Sequence, residues 1–136
     1  MSFFRSLLLL SSLLSFPAWA TNIVIQVADG PGEGFNDPIY GSQRLAVFER
    51  AAEILEQQIH SEQTIVVTAS FDPLYCSSNG AILGQAGPAA VAYDFNGAPH
   101  NDTLYPIALA NAISGSDLSE FSDIETVFNS NIDSGC

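Results

Sequence analysis

A strand–helix–strand pattern in the first half of the chain constrains the fold more than any other feature. The β-branched run Ile23–Val27 predicts a strand, and a glycine-rich loop follows it. Apolar residues then recur every three or four positions, which predicts an amphipathic helix with Ser42 as its N-cap and an end near His60. A second apolar run over 64–71 predicts a central strand. This order favours a crossover unit with two parallel strands. The predicted core face of the helix consists of Leu45, Phe48, Ala52, Leu55 and Ile59.

Weaker patterns follow in the second half. Residues 81–84 predict a short strand, and residues 125–129 predict a final one. Pro106 suits the first turn of a short helix that runs to Ile113, and Gly115 suits the position after its end. Residues 117–121 predict a helical turn. The chain is therefore expected to form an α+β domain with one long amphipathic helix and a second, short one.

The first 20 residues have the order of a secretory signal peptide. Arg5 precedes a leucine-rich apolar run over 6–16, and residues 17–20 end in a small–x–small cleavage pattern at Ala20. The alternative is a membrane anchor, but the apolar run is shorter than the roughly 20 residues of a membrane span. We expect a mature chain that begins at Thr21 and is secreted, to the extracellular space or to the periplasm in transit.

The charge of the chain excludes some partners. The chain has no lysine and a formal net charge of −12. Beyond residue 20, Arg44 and Arg50 are the only basic side chains apart from histidine. Because such a surface repels phosphate groups, we expect no nucleic-acid partner and no stable membrane association after cleavage of residues 1–20.

The chain contains two cysteines, Cys76 and Cys136. In an exported protein an even number favours a disulfide, and closing a loop of this size would stabilise the fold by about 4 kcal/mol. The alternative is that Cys136 pairs with a cysteine further along a longer chain.

The composition of the loop over 29–41 raises two hypotheses for a ligand, a dinucleotide and a calcium ion. Gly30, Gly32 and Gly34 stand between a strand and a helix, but their spacing is not G-x-G-x-x-G, and nearby carboxylates would repel a pyrophosphate. Calcium is the second hypothesis, and it is weak, because the spacing does not match a helix–loop–helix calcium loop and such compositions usually form turns. The residues that would offer hard oxygen atoms are Asp29, Glu33, Asn36 and Asp37.

The sequence predicts no metal ligand and no catalytic residue within the chain. His60 and His100 have no histidine partner four residues on, and H-E-x-x-H is absent. No serine lies in G-x-S-x-G, and neither cysteine has a recognisable base.

Four stretches taken together resemble one protein family. They are DGPGEGFNDP (29–38), ASFDPLYC (69–76), LGQAGP with YDFNGAP (83–88 and 93–99), and LYPIALANAISGSDL with FNSNI (104–118 and 128–132). In combination they resemble the N-terminal region of secreted, mostly bacterial, zincin-type metallopeptidase-like proteins that carry a protease-associated domain. The resemblance covers nearly all of the expected mature chain.

The resemblance implies the upper lobe of a zincin, a twisted mixed sheet backed by helices, for residues 21–136. In that family a helix with H-E-x-x-H follows, whose histidines bind zinc and whose glutamate acts as general base. This sequence ends before such a motif. The resemblance therefore implies zinc only for a longer protein, transfers no catalytic or zinc-binding residue to this chain, and predicts that the chain alone is inactive.

The resemblance also implies a substrate-binding strand. In zincins an edge strand of the sheet lies along the cleft and pairs with an extended peptide or protein substrate. By their place in the order, Leu83, Gly84, Gln85 and Ala86 are expected to form this strand, and Gly87-Pro88 to end it.

The alternative for the whole chain is a stand-alone secreted module that binds peptide or protein at a sheet edge and catalyses no reaction. A third hypothesis is a truncated or decayed gene product.

Overall fold

The computed structural model describes residues 21–135, which form eight strands and two α-helices. The predicted signal peptide and Cys136 lie outside the described residues. In chain order the strands are β1 (Ile23–Val27), β2 (Ile65–Asp72), β3 (Cys76–Ser77), β4 (Gly80–Ala81), β5 (Gly84–Pro88), β6 (Val91–Ala92), β7 (Tyr105–Pro106) and β8 (Ile124–Asn129). The helices are α1 (Gly41–Glu56) and α2 (Ile107–Ser114), and 3₁₀ turns cover Gly34–Asn36 and Ser130–Ile132.

The main sheet has four strands in the order β1-β2-β8-β5. Strand β2 pairs in parallel with β1 on one side and with β8 on the other, whereas β5 pairs antiparallel with β8. The predicted crossover unit is confirmed, because β1 and β2 flank α1 in the chain and run parallel. The sheet is mixed and two helices accompany it, so the α+β class is confirmed as well.

Two short antiparallel pairs form separate two-stranded sheets. Strand β3 pairs with β4, and β6 pairs with β7. The predicted strand over 81–84 is wrong, because Ala81 ends β4 and Gly84 begins β5. The final strand is confirmed and begins one residue earlier than predicted, at Ile124.

Helix α1 is present where the apolar spacing predicts it, but its ends differ. It begins at Gly41, with Tyr40 rather than Ser42 at the N-cap position. The carboxylate of Asp37 accepts hydrogen bonds from the amides of Ile39 and Tyr40 at 2.8 and 2.7 Å, and so orders the turn that leads into the helix. The helix ends at Glu56, short of His60.

Helix α2 lies between the two residues that were predicted to mark its ends. Pro106 occupies the N-cap position, one residue before the predicted N1, and Gly115 is the C-cap with a φ of 71°. That left-handed conformation favours glycine. The predicted helical turn over 117–121 is wrong: residues 117–119 have no regular structure, and the Asp117 carboxylate accepts a hydrogen bond from the amide of Ser119. Neither helix of the described region is long and apolar enough to cross a membrane.

Four phenylalanines join the loop after β1, helix α1 and the sheet. The ring of Phe128 lies 5.8 Å from that of Phe35, 5.3 Å from that of Phe48 and 5.2 Å from that of Phe71, measured between centroids. Phe35 is also 5.1 Å from Phe71, edge to face. Aromatic pairs at these separations stabilise beyond their buried area, by about 0.5–1.5 kcal/mol each. Burial in the cluster is deepest at Phe35, which is 5 % exposed.

We expect Phe128→Ala to lower the free energy of unfolding by about 3 kcal/mol, because it removes a ring that, like Phe35, contacts the three others. Urea denaturation measures this. Phe121→Ala is the matched control: that ring is 79 % exposed, so its removal should change stability by less than about 0.5 kcal/mol. Equal losses in the two variants would contradict the assignment of the core.

Candidate functional site

The antiparallel edge strand β5 is the most accessible part of the main sheet. All five of its residues are exposed, and among the described strands it pairs only with β8. It is also a strand of small residues, with two glycines, an alanine and a proline around Gln85. One long side of β5 is therefore open to another chain.

The hydrogen bonds at the two ends of β5 show which of its backbone groups face outward. The amide of Asn129 donates to the carbonyl of Leu83, and the amide of Ala89 donates to the carbonyl of Asp123, both at 3.0 Å. In an antiparallel pair, residues that bond across to the partner strand alternate with residues that do not. Because Leu83 and Ala89 form such bonds at the two ends of β8, Gln85 and Gly87 between them bond to β8 as well. It follows that the N–H and C=O groups of Gly84 and Ala86 point away from the sheet.

Pro88 also belongs to this outward-facing set. Its Cα partner on β8 is Ile124, in the same alternation as Gly84 and Ala86. Its missing N–H would have pointed to solvent, so the proline costs the sheet no hydrogen bond. The open side of β5 thus offers two N–H donors and three C=O acceptors.

The predicted edge residues mostly lie where they are expected. Gly84, Gln85 and Ala86 are in β5, whereas Leu83 precedes the strand and leaves its side chain 72 % exposed. Gly87 and Pro88, expected to end the strand, are part of it. Whether these residues bind substrate stays a prediction.

A buried asparagine anchors the N-terminal end of β5. The side chain of Asn129, which is 2 % exposed, donates to the carbonyls of Ile82 at 2.7 Å and Tyr75 at 3.3 Å. Its Oδ1 accepts from the amides of Leu74 and Asn131, both at 2.9 Å. One side chain thus ties the segment that leads into β5 to the end of β8.

A buried aspartate anchors the other end. Asp123 is 4 % exposed and accepts hydrogen bonds from the amide of Val66 at 2.7 Å and the side-chain amide of Asn111 at 2.9 Å. Its backbone carbonyl accepts from Ala89, directly after β5. Strand β2, helix α2 and the C-terminal end of β5 therefore meet at Asp123. No sequence pattern indicated the roles of Asp123 and Asn129.

The environment of Cys76 bears on the expected disulfide. Cys76 lies in β3 and, together with Gly135, lines a concavity of about 530 Å³. The residue before Cys136 is thus close to the hairpin that contains Cys76. Because Cys136 itself lies outside the described residues, the Cys76–Cys136 pairing stays a prediction.

The acidic residues of the loop over 29–41 are engaged by backbone amides. The carboxylate of Asp29 accepts from Phe35 at 2.6 Å and Phe71 at 2.7 Å, and that of Glu33 accepts from Gly30 at 2.8 Å. These bonds close the loop onto the end of β2 and use oxygen atoms that a calcium ion would need. Gly34, at a φ of +53°, lies so close to Asp29 that a Cβ there would collide with the carboxylate.

No zinc centre can be assembled from the described residues. Among them no three His, Cys, Asp or Glu side chains are placed to hold a metal ion. His60 and His100 are both exposed, the first in the loop after α1 and the second in the segment before β7.

An apolar concavity of about 600 Å³ lies beside the aromatic cluster and was not predicted from the sequence. Its wall includes the four phenylalanines together with Val47, which is 72 % exposed. The Arg44 guanidinium lies 4.6 Å from the centre of the Phe71 ring and is paired with Asp133. Because the ring faces the cluster on one side and the guanidinium on the other, Arg44 closes one rim of the concavity.

Comparison with protein-family models, with curated proteins and with solved structures finds no match for this chain.

We expect Asn129→Asp to lower the free energy of unfolding by about 3 kcal/mol. The change replaces two buried donors by a charge that faces the carbonyls of Tyr75 and Ile82. Hydrogen exchange should also accelerate at the amides of Gln85 and Gly87. The control is Asn101→Asp at an exposed position. Unchanged exchange in β5 would contradict the anchoring role of Asn129.

The turn before α1 predicts a pH dependence. Hydrogen bonds from the amides of Tyr40 and then Ile39 hold the pKa of Asp37 below its ordinary value of 3.8. Because the folded state lowers this pKa, the stabilisation is complete above the unfolded pKa and is lost as the pH falls through the folded pKa. Asp37→Ala should therefore be less stable than the wild type at pH 7 and 5, and the difference should shrink at pH 3. A constant difference in urea midpoint across these pH values would contradict this cause.

Proposed function

We propose that residues 21–136 form a peptide-binding lobe whose recognition surface is the open side of β5. The observation that carries the proposal is the outward orientation of the N–H and C=O groups of Gly84 and Ala86 on an exposed edge. A peptide that adds as a further strand satisfies these groups, and main-chain hydrogen bonds of this kind are independent of the peptide sequence.

The shape of β5 supports strand addition. Its small side chains leave both sheet faces open beside the edge, so an incoming strand meets little steric hindrance. The two anchors at Asp123 and Asn129 hold the ends of β5, which keeps the edge extended before a ligand arrives. A preorganised edge loses less conformational entropy on binding.

The family resemblance suggests the larger protein in which this lobe would act. In a secreted zincin-type metallopeptidase-like protein, the lobe would form the substrate-side wall of the cleft, and β5 would align the substrate. The zinc ligands and the general base would then come from a segment other than 21–135. A mixed sheet with an antiparallel edge strand beside two parallel neighbours agrees with this proposal.

The alternative is a secreted module that binds peptide or protein segments without chemistry. The open side of β5 supports this alternative equally, because strand addition needs no catalytic group. The described residues can supply recognition in either case. The two proposals differ in their need for zinc, because only the metallopeptidase requires an H-E-x-x-H segment in the same protein.

We expect Ala86→Pro to weaken binding of an extended peptide about tenfold or more, because it removes an outward N–H donor and places a ring against the incoming strand. The fold should be retained within about 0.5 kcal/mol, since this N–H does not bond β8. Titration of the mature chain with an eight-residue peptide of alternating Thr and Val measures the affinity. Gly84 is a poorer position for the test, because a Cβ there would lie 3.0 Å from the carbonyl oxygen of Val127.

Two further variants serve as controls. Ala86→Ser keeps the N–H and should bind as the wild type does. Gln85→Pro removes an amide that bonds β8, so it should lower the free energy of unfolding by about 2 kcal/mol. If Ala86→Pro binds the peptide as tightly as the wild type, β5 is not the recognition edge.

A further inference from the structure

We infer that the peptide bound along β5 carries a lysine or arginine side chain opposite Gly87, and that Glu125 recognises it. This inference rests on the proposed function and names the substrate class of that site. It depends on the register between β5 and β8, on a concavity beside Gly87, and on the charge of Glu125.

The register places Glu125 directly behind the open edge. Gly87 is the Cα partner of Glu125, so both lie on the same sheet face. Phe128, three residues further along β8, packs against Phe48 of α1, so the face of Glu125 is the one opposite α1. A Cβ built at Gly87 would meet nothing within 4 Å. The space above Gly87 is therefore open, and it forms a passage from the edge toward Glu125.

A concavity of about 310 Å³ marks this passage. Strand β5 and the neighbouring part of β8 form its wall, which consists of Gln85, Ala86, Gly87, Pro88, Glu125 and Val127. Glu125 is the only charged residue in that wall, and it is exposed. A long side chain from an added strand would therefore enter a space with one negative charge.

The distance across the passage suits a long cationic side chain. Gly87 bonds to β8, so it would form no hydrogen bond with an antiparallel strand added on the open side. The added residue opposite Gly87 would therefore belong to a non-hydrogen-bonded pair, which has the shorter Cα–Cα distance. Its Cα atom would lie about 10 Å from the Cα atom of Glu125. Glutamate and an extended lysine or arginine side chain together span that separation, whereas a short polar side chain does not.

Glu125 has no cationic partner of its own in the described region. The two arginines there are paired elsewhere: Arg44 with Asp133 at 2.6 Å, and Arg50 with Glu53 at 2.7 Å. The chain as a whole carries a formal charge of −12, which attracts basic peptides and speeds their encounter. Charge complementarity therefore favours a cationic residue at this position over a neutral or acidic one.

The test uses the mature chain and three eight-residue peptides of alternating Thr and Val, in which one central residue is arginine, glutamine or glutamate. The peptide is free to slide along the edge, so one arginine is enough to select the register. We expect the arginine peptide to bind about threefold more tightly than the glutamine peptide, the range of an exposed ion pair, and the glutamate peptide to bind most weakly. The preference should decrease in 0.5 M NaCl, since salt screens exposed charges.

Three variants assign the preference to one residue. Glu125→Gln should remove the difference between the arginine and glutamine peptides, and Glu125→Lys should make the glutamate peptide the tightest of the three. Glu49→Gln, on the exposed side of α1, removes the same net charge and should keep the preference.

The outcomes separate this inference from the proposed function. If the three peptides bind equally and Ala86→Pro still weakens them, β5 is the recognition edge but Glu125 does not select the ligand. If the arginine preference survives Glu125→Gln, it comes from the overall charge and the inference is wrong. If no peptide binds, both the inference and the proposed function are overturned.

Discussion

The pairing of β8 with β2 is the constraint on which the rest of the structure depends. These strands lie more than fifty residues apart in sequence, and their parallel register brings Phe128 beside Phe71 and Glu125 beside Thr68. Strand β5 contacts the main sheet only through β8 in the described region. The aromatic core, both buried polar anchors and the open edge therefore all require the pairing of β8 with β2.

Sequence patterns predicted the longer elements, whereas the short strands β3, β6 and β7 were not predicted. Short-range periodicity was sufficient for β1, α1, β2 and the core of α2, because apolar spacing and turn residues are properties of neighbouring positions. The place of the edge strand came from the family resemblance, and the structure puts Gly84, Gln85 and Ala86 in such a strand. Its position beside β8 could not be derived from composition, since β5 has almost no apolar residues.

What the sequence did not indicate depends on long-range pairing. Asp123 and Asn129 resemble ordinary turn residues until β8 is placed, and only then do their side chains meet the amides of Val66 and Leu74. Asp29 belonged to the weak calcium hypothesis as a loop carboxylate, yet its oxygen atoms accept hydrogen bonds from the amides of Phe35 and Phe71. In each case a partner distant in sequence determines the role of the side chain.

Pro88 has a consequence for how copies of this chain behave at high concentration. An unprotected sheet edge is a template on which identical molecules stack into fibrils. Here the edge offers only Gly84 and Ala86 as complete donor–acceptor positions before the proline ends the row of donors. Two copies meeting edge to edge would also bring their Glu125 carboxylates toward each other. The proline and the carboxylates therefore discourage self-stacking, which lets the chain keep an exposed strand without forming fibrils.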